Sequence, residues 1–250
     1  MDLRGLTLIQ IAEISIDTGA EKFILAATMS EAPEPISPDR RPIKTRSAGW
    51  AQAISRALVR LGVSPNQVSV ASIVFALAGA ALLTCHTKEP GAAGAIAYLL
   101  AAGCIQLRLL ANMLDGLIAV EGGRQTKTGE LYNEIPDRIA DVAFLAAAGY
   151  ASQHGEWGVA LGWSASVLAV TTAYIRAIGA RRGQPQDFCG PQAKPHRMFL
   201  LTVGCLFAMG EKLAGLPPWS LFIFLILITV GTFVTCIRRT VRLARQLEAA

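Results

Sequence analysis

Six apolar stretches constrain this chain more than any other feature. They lie at about 67–86, 92–120, 134–152, 158–178, 198–213 and 218–237. Most of them approach the roughly 20 residues that a helix needs to cross a bilayer. The composition leaves no other use for so much apolar length. Of 250 residues, 52% are hydrophobic and 16% charged, against about 25% charged in an average soluble domain. Aromatics supply only 7%, so the apolar excess is aliphatic and small, which lets membrane helices approach closely. A disordered chain, a coiled coil and a disulfide scaffold are excluded. The fold class expected is all-α, a polytopic membrane protein of six transmembrane helices.

The basic residues sort the connections between these stretches. Seventeen fall in 40–60, 121–131, 176–197 and the C-terminal tail, and only Lys88 and Lys212 in the three intervening loops. Such alternation is what a positive-inside bias produces for six spans with both termini in the cytoplasm. Five or seven spans would break it. The net charge of +5 is then a property of inner loops in a multi-pass cytoplasmic (inner) membrane protein, not a nucleic-acid surface. The five cysteines are scattered without metal-ligand spacing and read as small hydrophobes.

Residues 1–46 read as a poorly ordered extension ending in a proline-rich linker, with Pro33, Pro35, Pro38 and Pro42. Residues 47–61 read as an amphipathic helix capped by Ser47. Trp50, Ile54, Ala57, Leu58 and Leu61 share one face, and Arg56 and Arg60 the other. An apolar stripe with a basic back suits a helix lying in the membrane interface. A single membrane domain then spans 47–240, and 241–250 forms a basic cytoplasmic tail.

The apolar pattern is broken chiefly at 112–141. Asn112 and Asp115 close the second stretch at a spacing of three, with Ala119 four further on. Asn133, Asp137 and Asp141 open the third at spacings of four. Each set shares a helix face, and the short connection makes the two helices antiparallel neighbours. Ionisable groups at such depth are expensive and usually functional. The three carboxylates and the amide oxygens of Asn112 and Asn133, brought together, repel unless a cation lies between them, and such oxygen ligands suit Mg²⁺, Mn²⁺ or Ca²⁺. The bland alternative is a helix-end cluster whose carboxylates pair with Arg138 or Arg124.

In this region Asp115-Gly116-x2-Ala119-x9-Gly129-x3-Asn133-x3-Asp137 resembles the signature of the CDP-alcohol phosphatidyltransferases, D-x2-D-G-x2-A-R-x8-G-x3-D-x3-D, with every spacing kept. Ser64-Pro65-Asn66 resembles the T-P-N entry of that family. The resemblance covers about 47–240. It implies transfer of a substituted phosphate group from a CDP-linked donor, commonly CDP-diacylglycerol, to a small alcohol, with release of CMP. It implies Mg²⁺ or Mn²⁺ as cofactor, membrane lipids as surroundings, an active site on the cytoplasmic side, and often a homodimer; no nucleic acid is implied. Asp115 and Asp137 match metal-binding aspartates, and Asp137 also the general base. Gly116, Ala119 and Gly129 match small residues beside the nucleotide, and Asn66 a residue near the donor. Thr126 and Thr128 lie where hydroxyls could meet phosphate or ribose.

Three departures stand out. Asn112 and Asn133 replace two aspartates of the signature, and Val120 its arginine. Two carboxylates remain from four, so two divalent ions would be weakly held. Asp141, one turn beyond Asp137, restores a charge and competes with it as base. A second polar region, 174–199, is basic. Arg176, Lys194 and His196 are its candidate acceptor-binding residues, because an acceptor bearing phosphate needs such cations. Two other classes compete: a degenerate member that binds nucleotide or lipid without turnover, and a small transporter. A transporter places its charges near the midplane and often shows internal repeats; no repeat is visible.

Overall fold

The computed structural model describes residues 49–121 and 128–249. The expected N-terminal extension, the Ser47 cap, Arg124 and Thr126 lie outside the described residues. Among those described, seven α-helices and no strands form the fold: α1 (Gly49–Arg60), α2 (Pro65–Ala81), α3 (Gly91–Glu121), α4 (Gly129–Ala151), α5 (Gly155–Arg181), α6 (Lys194–Ala214) and α7 (Ser220–Glu248). The last turn of α2 widens into a short π-helical stretch, Leu82–His86. Every apolar stretch of the sequence lies within a helix.

Local chemistry explains the helix ends. Ser64 closes a capping box on α2: its hydroxyl accepts the Gln67 N–H at 3.2 Å, and the Gln67 side chain accepts the Ser64 N–H at 2.9 Å. Gly215, at φ 65°, ends α6 in the left-handed region that favours glycine. The Glu211 carboxylate then accepts the Ser220 N–H and hydroxyl, at 2.9 and 2.6 Å, and starts α7. α7 runs through the segment expected to be a separate tail. Its final turns carry Arg238, Arg239, Arg242 and Arg245, cations that complement the negative end of the helix.

Among the described residues, four segments are long and apolar enough to cross a membrane: Pro65–His86, Gly91–Val120, Gly155–Arg181 and Ser220–Glu248. α4 and α6 are as long as a span needs but carry Glu134, Asp137, Arg138 and Asp141, and Lys194 and Arg197. Large apolar side chains stand exposed along the outside, among them Val74, Leu77, Val167, Val230 and Phe233. Exposed apolar surface this extensive marks a membrane protein.

α2 packs on α3 and α4, α3 on α6, α4 on α5, and α7 on α5 and α6. Tyr98, Ile105, Phe144, Leu145, Leu201 and Leu225 form the core, and the Tyr98 hydroxyl donates to the Ala151 carbonyl at 2.9 Å. α4 and α5 meet through glycines. A Cβ on Gly162 would lie 2.7 Å from the Leu145 carbonyl oxygen, and one on Gly149 2.7 Å from that of Gly158. Backbone contact of this kind is how small residues draw membrane helices together.

α1 packs on α3 along one side. Ala51 and Ser55 are its buried residues, and Leu58 and Val59 lean on a small cluster of Val68, Ala111, Leu114 and Ile118. Trp50, Ile54 and Leu61 stay exposed. The protein body takes one edge of the apolar stripe and leaves the other uncovered.

Candidate active site

The polar residues gather at the end of the bundle where α3 passes the chain to α4. Asp115, in the last turns of α3, is buried, and its Oδ2 accepts the Ser69 hydroxyl of α2 at 2.7 Å. Asp137 and Asp141, successive turns of α4, are also buried. Each would be intolerable there without compensation, and each is compensated by the chain itself.

Asp137 meets three donors. Arg108 Nη2 donates to its Oδ1 at 3.0 Å and to its backbone carbonyl at 3.1 Å. The Asn112 amide also donates to Oδ1, and Lys194 Nζ pairs with Oδ2. Asp141 lies between two arginines: Arg197 Nη2 donates to its Oδ2 at 2.9 Å, and Arg108 Nη2 stands 3.7 Å from its Oδ1. Arg138 approaches both carboxylates, at 3.7 Å from Asp137 and 4.0 Å from Asp141. Asp137 and Asp141 therefore face Arg108, Lys194 and Arg197, with Asp115 beside them on the Ser69 hydroxyl.

A further ring holds these cations in place. Arg197 Nη1 donates to the Gln192 carbonyl at 2.9 Å. The Thr235 hydroxyl accepts the Gln192 N–H at 3.0 Å. Arg239 reaches the Thr172 carbonyl at 3.0 Å and the Cys189 carbonyl at 2.9 Å. Arg176 pairs with Glu134 and lies over the Phe188 ring at 5.5 Å.

The expected site residues divide accordingly. Asn112, Asp115, Asp137, Asp141 and Lys194 are brought together. Asn133 is exposed: each step of four residues turns a helix by about 40° beyond a full circle, so it lies well round from Asp141. His196 is exposed for a related reason. Lys194 and Arg197, three apart, share the inward face of α6, and His196 falls off it. Arg176 pairs with Glu134 on the edge of the cluster. Gly116, Ala119, Gly129 and Asn66 are half-buried, and Thr128 is exposed.

Sequence reasoning missed Arg108, Ser69 and the inward role of Arg197. Arg108 had a readable signal: a cation inside an apolar stretch, one turn before Asn112 and two before Asp115. Ser69 had none, since α2 carries several such small residues.

The cluster bears on the expected divalent ion. Among the described residues, no three His, Cys, Asp or Glu side chains are placed to share a metal. The oxygens of Asp137 and Asp141 already face protein cations. This set does not fit a pair of divalent ions, for want of negative charge. Asp115 and Asp137 carry charge enough for one, but Lys194 stands on the Asp137 Oδ2 it would use.

The comparisons with known proteins converge. The chain is 27% identical over 203 residues to a phosphatidylinositol phosphate synthase of Mycolicibacterium smegmatis, covering 76% of this chain and 81% of that one. It is 29% identical over 195 residues to the enzyme of the same name from Streptomyces avermitilis, covering 76% and 75%. Its fold is similar to the crystal structure of Mycobacterium tuberculosis phosphatidylinositol phosphate synthase with CDP-DAG bound, at a TM-score of 0.65 and 24% identity over 78% of this chain and 94% of that one. The same enzyme in complex with manganese and citrate gives 0.63 and 23%, over 77% and 88%. The model of the CDP-alcohol phosphatidyltransferase family matches residues 62–245, a stretch containing every helix from α2 to the last turns of α7, and the chain belongs to that family of transferases.

Proposed function

We propose that this protein transfers a substituted phosphate group from CDP-diacylglycerol to the hydroxyl of a small alcohol, releasing CMP, at the cytoplasmic face of the inner membrane. The observation that carries this reading is the meeting of Asp115 and Asp137 at one end of the bundle, inside the segment that matches the family. A lipid-linked nucleotide has acyl chains for the bilayer and a pyrophosphate for its surface, so a polar site at helix ends suits both. Relatives named phosphatidylinositol phosphate synthase make a phosphorylated polyol, inositol phosphate, the first acceptor to test.

The residues divide the work. Asp137 lies nearer the solvent than Asp141 and is the base that takes the acceptor proton. Asp141 positions Arg197 and Arg108. Asn66, Gly116, Ala119, Thr128 and Gly129 border the donor, and Arg176 belongs to the acceptor side. A divalent ion, Mg²⁺ or Mn²⁺, would be held by Asp115, Asp137 and the amide oxygen of Asn112; when bound it neutralises pyrophosphate charge and polarises the bond to be broken. The alternating basic loops support six spans with α4 and α6 crossing beside their more apolar neighbours. The uncovered Trp50, Ile54 and Leu61 support α1 lying in the interface.

Purified protein incubated with labelled CDP-diacylglycerol, Mn²⁺ or Mg²⁺ and a panel of alcohols should release CMP with at least one acceptor. Nucleotide binding with no release from any acceptor would point to a degenerate binder and sink the proposal.

A further inference from the structure

Of the cations that hold the carboxylate cluster, Arg108 and Arg197 each bond more than one group, while Lys194 pairs with one. Arg108 is fully buried and donates to both the carboxylate and the backbone carbonyl of Asp137. Arg197 is pinned between Asp141 and the Gln192 carbonyl. Lys194 differs on each count. It stands at the first turn of α6, its side chain is 21% exposed, and Asp137 is the partner it meets. A lysine carries a compact charge on a flexible stem, whereas an arginine fork is held by several bonds at once. Its departure would not strand Asp137, because Arg108 and Asn112 remain on Oδ1 and Arg138 stands 3.7 Å from Oδ2.

The same buried cluster holds polar atoms that no hydrogen bond satisfies. Arg108 Nε and Nη1, Arg197 Nε and Asp141 Oδ1 are among them, and donors outnumber acceptors. Buried guanidinium donors without acceptors are costly, and a phosphate presents the oxygens they lack.

Resting on the donor-binding reading above, we propose that Lys194 is an exchangeable counter-ion, which leaves Asp137 for a phosphate of the bound nucleotide and so acts as a cation built into the chain. Nucleotide binding then does not depend on a divalent ion. Lys194 and a metal also compete for Asp137, so removing the lysine strengthens metal binding.

The test uses the full chain in detergent, with CMP and Mn²⁺ as separate probes in calorimetry. In excess EDTA the unsubstituted protein should bind CMP within about tenfold of its affinity in saturating Mn²⁺. Lys194→Met should lose about tenfold or more in EDTA, the scale of one charge-assisted hydrogen bond, and Lys194→Arg should keep most of it. Lys194→Met should also bind Mn²⁺ several-fold more tightly without nucleotide. Loss of CMP binding by the unsubstituted protein in EDTA overturns the proposal, and that measurement needs no variant to fold. Equal CMP affinity of Lys194→Met and the parent in EDTA, or unchanged Mn²⁺ affinity, overturns it equally. Failure of the transferase reading is separate: no CMP release from CDP-diacylglycerol, with metal-free CMP binding intact, removes the catalysis and leaves the counter-ion.

Discussion

Asp141 and Asp137 sit one turn apart but differ in what they can do. Asp141 is wholly buried against Arg197 and Arg108, so its charge is spent on position. Asp141→Asn leaves two buried arginines short of a partner, and the expected cost is about 3 kcal/mol of stability, read as a lowered unfolding midpoint in detergent. Asp115→Ala should lose about 100-fold or more in CMP release; Asp137→Asn, which also deprives Arg108 and Lys194 of a charged partner, should lose as much and lower the unfolding midpoint. A second carboxylate tests the loop before α6. Burial works against ionisation of Asp187, but the Cys189 N–H at 2.8 Å, its thiol at 3.1 Å and Arg242 hold its carboxyl below the ordinary range. A depressed value stabilises the folded loop above the ordinary carboxylate pKa, near 4. That contribution disappears as pH falls through the lowered one. Hydrogen exchange across 184–192 should therefore rise on acidification below about pH 4, and Asp187→Asn should flatten that dependence. At this scale the sequence was readable where spacing carried the message. Asp115, Asp137 and Asp141 could be brought together on paper. The cation between them could be demanded but not identified, because Arg108 and Arg197 lie 29 and 56 residues from their carboxylates.

Helices were legible as lengths and less so as faces. All six apolar stretches became helices, since a long apolar run has few other uses in a membrane. The stripe of α1 is shared between protein and surroundings, and hydrophobicity alone does not separate the two. Asn133 stands round from Asp141 through the drift of a four-residue repeat around a 3.6-residue helix, which spacing alone does not display. The α4–α5 contact gives a sharp test. Gly162→Ala places a Cβ 2.7 Å from the Leu145 carbonyl oxygen, so the helices must part. Expected are a loss of about 2 kcal/mol in detergent and a fall in CMP release, since α4 also carries Asp137 and Asp141. Gly103→Ala, where nothing stands within 4 Å of the added carbon, is the matched control.

For the molecule as a whole, the alternation of basic loops makes an orientation testable. In a cysteine-free background, single cysteines at Lys88 and Gly183 should be labelled by an impermeant reagent from opposite sides of the membrane, with Gly183 reached only after permeabilisation. Labelling of both from one side would remove the six-span topology.

The order in which the cluster's members emerge has its own consequence. α4 needs Arg108, already synthesised, but also Arg197, whose partner Asp141 precedes it by 56 residues. On the six-span reading proposed above, in which α4 crosses the bilayer, its carboxylates stay short of a partner until that later segment leaves the ribosome, which disfavours release of the helix sideways into lipid. Nascent chains truncated before residue 194 should therefore leave α4 loosely inserted and open to degradation. Chains extended past 214 should lock it in, making membrane integration of this protein a late, all-or-none event.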